Sequence, residues 1–227
     1  MIPPLPRAAT ESIRDPDWLG AACLATRHEL ALFLSTAVAY CRSPSAFSRG
    51  WAEGQIRTLN PLGFALQSAA IAGPYRHACS AALGLGTSDA PLWAEVLKAL
   101  LPAVYSVYLA LLCHLALRLG GGRRPFRSTL AISLYAGAPY LALGLLFYPL
   151  LAWFFARPGQ AAAIVMGVVG LAITACYVVL WAHALAALHG VRARWPAVAL
   201  VLGLAAYTLA WNVAGRAYPS LARWTSF

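Results

Sequence analysis

The residues able to do chemistry are few in this sequence, and none of them forms a complete catalytic motif. The segment 28–32, HELAL, begins like the metal-binding helix of a zinc protease, but Leu32 stands where that motif needs a second His. The sequence has no GxSxG pattern, no Walker A phosphate-binding loop and no pair of carboxylates within an apolar run. We therefore expect no catalytic residue, no bound metal and no cofactor, and a protein that is not an enzyme.

Three histidines are distant in sequence but could meet in a helical bundle: His114, His183 and His189. A pair of them, or one with Glu95, could bind a metal ion or relay a proton, as a metal-dependent membrane hydrolase would require. The alternative for His114 and His189 is a position at the membrane interface, because both come near the ends of apolar runs and side chains with polar tips settle there. His183 lies deeper in its run and is the better candidate for a functional role.

Other polar residues interrupt the apolar runs. Glu95 and Lys98 are three residues apart and can pair on one face of a helix. Gln67 and Asn212 are suited to hydrogen bonds between neighbouring helices. Together with His183 they form the polar set that a small transporter or channel would use.

Composition indicates the class of protein that must position these groups. Of the residues, 61% are hydrophobic and 11% are charged, and the mean hydropathy is +0.67. A soluble domain carries about 25% charged residues, so the chain is predicted to be a membrane protein. The net charge is +10, but the 17 basic residues fall mostly between apolar runs, which argues against a nucleic-acid binder. None of the five cysteines has CxxC spacing, so neither a zinc site nor a disulfide framework is predicted.

Five apolar runs predict five membrane-spanning helices, since about 20 apolar residues cross a bilayer. The runs are 61–84, 93–117, 129–156, 161–188 and 196–214. The first is interrupted by Pro74, Arg76 and His77, which leaves its end open. The third is long for one span and contains Pro139 and Pro149, so we expect a kink or tilt there.

The fold class predicted is all-α: a polytopic membrane protein with five transmembrane helices preceded by amphipathic interfacial helices. The predicted parts are a cytoplasmic tail at 1–27, interfacial helices at 28–60, the five-helix membrane domain at 61–217 and a short tail at 218–227. Within 28–60, Trp51 is expected at the depth of the lipid headgroups.

Loop charges predict the orientation. Six arginines lie before the first run, four lie between runs two and three, and two lie between runs four and five. Because cytoplasmic loops carry the excess of basic residues, the amino terminus is expected in the cytoplasm and the carboxyl terminus on the opposite side. The loop GGGRRPFR contains Arg123, Arg124 and Arg127, which are candidates for contact with anionic lipid or a protein partner. The alternative is that they only set the topology.

The stretch 120–146 resembles the Yip (Ypt-interacting protein) domain family. Members of that family show a Gly-Gly turn, then a Phe and a Thr entering a helix, then a Tyr followed after a few residues by a Pro. The matching residues here are Gly121, Gly122, Phe126, Thr129, Tyr135 and Pro139.

Two further stretches are similar to the family. In 43–73 an amphipathic stretch leads through Asn60 and Pro61 into the first run. Trp181 in the fourth run precedes a loop with Gly190 and Arg192 before the fifth. The resemblance therefore covers most of the chain, and it implies the five-span topology.

The absence of a catalytic set and the basic cytoplasmic loop predict a non-enzymatic membrane scaffold or adaptor of Yip-like type, with a role in membrane organisation or traffic. The alternative is a small oligomeric transporter or channel for a solute or lipid. Expected partners are the lipid bilayer, a protein or anionic lipid at the cytoplasmic face, and a second copy of the chain, but no nucleic acid. The single Lys and the abundance of Ala, Leu and Arg favour a bacterial inner membrane. The candidate polar and hinge residues are Gln67, Glu95, Lys98, Tyr135, Pro139, His183 and Asn212.

Overall fold

A computed structural model describes residues 18–83, 92–155 and 159–217, and within these ranges all regular structure is α-helical. The helices are α1 (Trp18–Arg42), α2 (Pro44–Ala52), α3 (Pro61–Ala82), α4 (Leu92–Leu119), α5 (Phe126–Tyr135), α6 (Gly137–Phe155), α7 (Gln160–His189) and α8 (Arg194–Ala217). The predicted all-α class is confirmed for this part of the chain.

Local signals in the sequence place several helix ends. The Oδ1 atom of Asn60 accepts a hydrogen bond from the backbone N–H of Gly63 at 2.6 Å, and Pro61 takes the first position of α3. Gly190 ends α7 with φ +68°, the left-handed conformation that glycine adopts without steric cost.

The amino-terminal region is more helical than the sequence predicted. The first helix begins at Trp18, ten residues before the predicted start of the interfacial segment at 28. The loosely ordered tail expected at 1–27 therefore does not extend beyond residue 17, and residues 1–17 lie outside the described residues, as does the predicted tail at 218–227. Residues 53–60, expected to be helical, instead form an irregular segment between α2 and α3.

The kink expected in the run 129–156 is a break between two helices. Helix α5 ends at Tyr135 and α6 begins at Gly137. Pro139 stands in the first turn of α6, where it has no N–H to donate to the carbonyl of Tyr135, four residues earlier. The break is therefore encoded by Pro139, whereas Pro149 is accommodated inside α6.

Within the described ranges, three stretches are long and apolar enough to cross a membrane by length and composition: Lys98–Leu119, Phe126–Leu150 and Gly167–His189. They match the second, third and fourth predicted runs. The fifth run corresponds to a shorter apolar helix, Arg194–Ala210, and the run at 61–84 is not among the three.

The buried core lies toward one end of the helical bundle. Its largest fully buried side chains include Trp181, Tyr135, Tyr40, Phe33 and Phe64. Among the side chains of α7 that the structure describes, the buried ones lie in the stretch 178–189, whereas apolar side chains nearer its start, such as Leu171, are exposed. Helix α2 packs mainly on α7, and α1 packs on α2 and α6, so both amino-terminal helices join this end.

Candidate functional site

Tyr135 is the centre of an aromatic cluster that joins α2 and α3 to α5. Its ring lies 5.1 Å from that of Phe47, 6.4 Å from that of Trp51 and 5.5 Å from that of Phe64, each in an edge-on arrangement. Such pairs contribute about 0.5–1.5 kcal/mol beyond the area they bury. Tyr135 is fully buried, so this cluster fixes α2 against the membrane domain.

The hydroxyl of Tyr135 also holds the irregular segment 53–60. It donates a hydrogen bond to the carbonyl oxygen of Leu59. Since a phenol has one proton, its contact with Thr58 Oγ1 at 3.1 Å must be donated by the threonine. On the other side, the N–H of Leu59 donates to Thr36 Oγ1 at 3.2 Å. Both backbone polar groups of buried Leu59 are therefore satisfied by side chains of distant helices.

A polar cluster joins three helices, α4, α5 and α7. Thr129 Oγ1, at the start of α5, lies 3.0 Å from His114 Nδ1 in α4 and 2.9 Å from His189 Nε2 in α7. Thr129 is fully buried and His189 is 8% exposed. The carbonyl oxygen of Thr129 accepts from Ser133 Oγ at 2.8 Å, and Ser133 Oγ accepts from Trp181 Nε1 at 3.1 Å.

The direction of the hydrogen bonds in this cluster follows from Arg118. A guanidinium only donates, so the contact of Arg118 Nε with His114 Nε2 at 3.4 Å makes that nitrogen an acceptor. Neutral His114 then carries its proton on Nδ1 and donates to Thr129. Among the described residues the hydroxyl of Thr129 has one acceptor, His189 Nε2, so Thr129 donates to it. His189 must therefore carry its proton on Nδ1.

A basic groove lies beside this cluster, between α2, the loop from α4 to α5, and the end of α7. Two adjoining cavities of about 500 Å³ and about 760 Å³ form it, and both include Ala52, Arg124 and Pro125. We call it the arginine groove. Its charged residues are Arg49, Glu53, Arg123, Arg124 and Arg127, and His189 lines its second cavity.

The glycines of the α4–α5 loop let this groove form. Gly121 has φ +90°, which disfavours residues with a side chain. A Cβ atom on Gly122 would lie 2.7 Å from His189 Nδ1 and 2.8 Å from the carbonyl oxygen of Leu117. The loop therefore packs directly against the end of α7 because Gly122 has no side chain, and this fixes where Arg123 and Arg124 lie.

The family model of the Yip1 domain matches residues 2–214. The chain belongs to the Yip1 domain family. This Yip1 domain is therefore a multi-pass membrane protein, and the resemblance read from residues 120–146 is confirmed. No curated protein and no solved structure matches the chain.

The structure of this Yip1 domain places the predicted residues in separate environments. Tyr135 and Pro139 are buried at the junction of α5 and α6. Gln67 and Lys98 are half-buried on α3 and α4, and neither lines the two cavities of the arginine groove. His183 is exposed on α7, and its carbonyl oxygen accepts from Ser45 Oγ at 3.3 Å.

Two predicted residues cannot be placed at the level of side chains. Glu95 and Asn212 lie in α4 and α8, but their side chains are outside the described residues. Among the residues that are described, no three His, Cys, Asp or Glu side chains form a group able to hold a metal ion.

The histidine that the sequence favoured for a functional role is not one of the two that this Yip1 domain brings together. His183 was the preferred candidate, but His114 and His189 are the pair that Thr129 joins. The sequence analysis also did not place Arg49 beside Arg123 and Arg124, with which it lines the second cavity. The available signal was the four-residue spacing of Arg49 and Glu53, which places both on one helical face.

Proposed function

We propose that this Yip1 domain is a non-enzymatic scaffold or adaptor of the bacterial inner membrane. It spans the membrane five times, with its amino terminus and the arginine groove in the cytoplasm. The excess of arginine in the amino-terminal region and in the α4–α5 loop supports this orientation.

One observation carries the proposal: α2 and the segment 53–60 are fixed on the bundle by Tyr135, next to the arginine groove. A short helix held by buried aromatic and hydrogen-bond contacts presents a constant surface, which is what an adaptor requires. We call residues 44–60 the platform. Its exposed polar residues include Glu53, Gln55 and Arg57.

The transporter alternative needs a cavity shared by the intramembrane polar residues. The two cavities of the arginine groove include none of Gln67, Lys98 and His183. Exposure of His183 on the outer surface of α7 also favours a contact with lipid or a partner over a solute path.

Photo-crosslinking in cells tests the proposal. A photoreactive residue replaces Gln55 on the platform or, as a matched control, Leu171 on the exposed face of α7, which is expected to face lipid. We expect a discrete adduct of defined size from position 55 and none from position 171. Absence of an adduct from each of positions 53, 55 and 57 would contradict the adaptor role.

Reconstitution tests the alternative. Vesicles containing the purified chain should show no more solute leakage than empty vesicles. Solute flux that a Lys98→Met change abolishes would instead establish the transporter.

A further inference from the structure

The arginine groove has an unbalanced charge. Four guanidinium groups line it against one carboxylate, that of Glu53. Within residues 18–83, 92–155 and 159–217, no ion pair joins Glu53 to any of these arginines. Each guanidinium offers donors in a planar arrangement that matches the oxygens of a phosphate group.

A buried donor in the same wall points to a ligand independently of the arginines. His189 is 8% exposed, and its Nδ1 has no hydrogen-bond partner among the described residues. The bonds from Arg118 through His114 and Thr129 place a proton on that nitrogen, so it is a donor without an acceptor. An unsatisfied buried donor costs free energy, which an oxygen of a bound anion would recover.

The shape of the groove favours a lipid over a small ion. Its first cavity combines Arg124 and Arg127 with the apolar surfaces of Trp51, Ala52, Pro125 and Ala131. Its second cavity holds most of the charge, from Arg49, Glu53, Arg123 and Arg124, beside His189. Arg124 belongs to both. A molecule with a charged phosphate at one end and apolar chains at the other fits these two adjoining surfaces. Trp51 supports this assignment, because Trp side chains settle at the depth of the lipid headgroups.

From these observations we infer that the arginine groove binds the phosphate headgroup of an anionic phospholipid, with Arg123 and Arg124 as the main phosphate ligands. The inference rests on the proposed function for the side of the membrane on which the lipid lies. The scaffold then holds an anionic phospholipid beside its platform.

Competition between lipids on the full chain tests the inference. The purified protein in detergent is mixed with equal amounts of phosphatidylglycerol and phosphatidylcholine, and native mass spectrometry gives the ratio of the two lipids bound. We expect the wild type to prefer phosphatidylglycerol, and the preference to fall with added salt because salt screens exposed charges. This arm needs no variant, so it decides the matter even if a variant fails to fold.

Substitutions then locate the site. Arg123→Gln and Arg124→Gln should each lower the preference by about fivefold, since an arginine near an anionic surface contributes about 1 kcal/mol. Arg192→Gln is the matched control, because Arg192 is exposed on the neighbouring α7–α8 loop and lines neither cavity. His189→Gln keeps a polar atom for Thr129 but removes the Nδ1 donor, and should also lower the preference.

Three outcomes would overturn the inference. Equal retention of both lipids by the wild type is one, and a preference lost equally in the Arg192 control is another. The third is binding of inorganic phosphate that depends on Arg124 without any preference between the lipids, which would assign the groove to a free anion. A wild type that shows no lipid preference but does form the platform crosslinks would refute only the lipid site. Solute flux with the preference intact would refute only the scaffold.

Discussion

The hydroxyl of Tyr135 donates a hydrogen bond to the carbonyl oxygen of Leu59, 76 residues earlier in the chain. This bond ties the irregular segment before α3 to the last residue of α5. It lies in the middle of the aromatic cluster that holds α2, so the amino-terminal helices and the membrane domain meet at one side chain.

Replacing Tyr135 by Phe should therefore loosen the platform. The ring contacts remain, but the buried carbonyl of Leu59 loses its partner, which costs about 1–3 kcal/mol of unfolding free energy. Thermal unfolding in detergent measures the loss. Tyr108→Phe is the control, because Tyr108 is 39% exposed and its stacking on Tyr105 survives the change. Equal melting temperatures for the two variants would show that the Leu59 bond does not stabilise the fold.

Thr129→Val should destabilise the junction of α4, α5 and α7. Valine has nearly the shape of threonine but leaves two histidine nitrogens without a partner, at a cost of about 1–3 kcal/mol each. Thr129→Ser keeps the hydroxyl and should retain most of the stability. Thr174→Val is the matched control, since Thr174 is exposed and its hydroxyl bonds only to Gly170 of its own helix. A melting temperature for Thr129→Val equal to that of the control would contradict the bridging role.

Gly122→Ala should shift the α4–α5 loop away from α7. The added carbon would meet the backbone carbonyl of Leu117, which cannot rotate away, so we expect a loss of about 1–3 kcal/mol. Gly137→Ala tests the specificity of this effect, because a Cβ there meets nothing within 4 Å. If both alanine variants unfold at the wild-type temperature, the close packing of the loop on His189 is not needed.

Pro139→Ala should straighten the junction of α5 and α6. Alanine restores the N–H that can bond to the carbonyl of Tyr135, so the two helices can merge and their packing must change. Cysteine accessibility along 130–150 and thermal stability both report this. Gly144→Ala lies in the same helix with open space around it and should alter neither. Unchanged accessibility and stability in Pro139→Ala would refute the role of the proline.

Replacing Arg123, Arg124 and Arg127 together by Ala should weaken the orientation signal. Cytoplasmic arginines near span ends set topology, so part of the protein should insert with its amino terminus outside. Labelling of a Cys at position 55 in intact cells measures that fraction, in a chain without its native cysteines. Arg157→Ala, on the predicted opposite side, should not increase the labelling. Uniform protection of position 55 in the triple variant would show that other arginines suffice.

Several features follow from the sequence because their causes are local. The apolar composition determined the class of protein, Asn60 and Pro61 determined the start of α3, Pro139 determined the break before α6, and Gly190 determined the end of α7. Each depends on residues within one or two turns, where backbone sterics and capping act. The motif around Tyr135 and Pro139 was equally sufficient to indicate the family.

The candidate site was decided only by the tertiary structure. The helices of the membrane domain are apolar on most of their surface, so periodicity does not tell which face packs inward. That choice brings His114 to His189 through Thr129 and leaves His183 exposed, although His183 lies deeper in its apolar run. It also sets Arg49 of α2 beside Arg123 and Arg124, because α2 packs on α7 through contacts that no spacing in the sequence encodes.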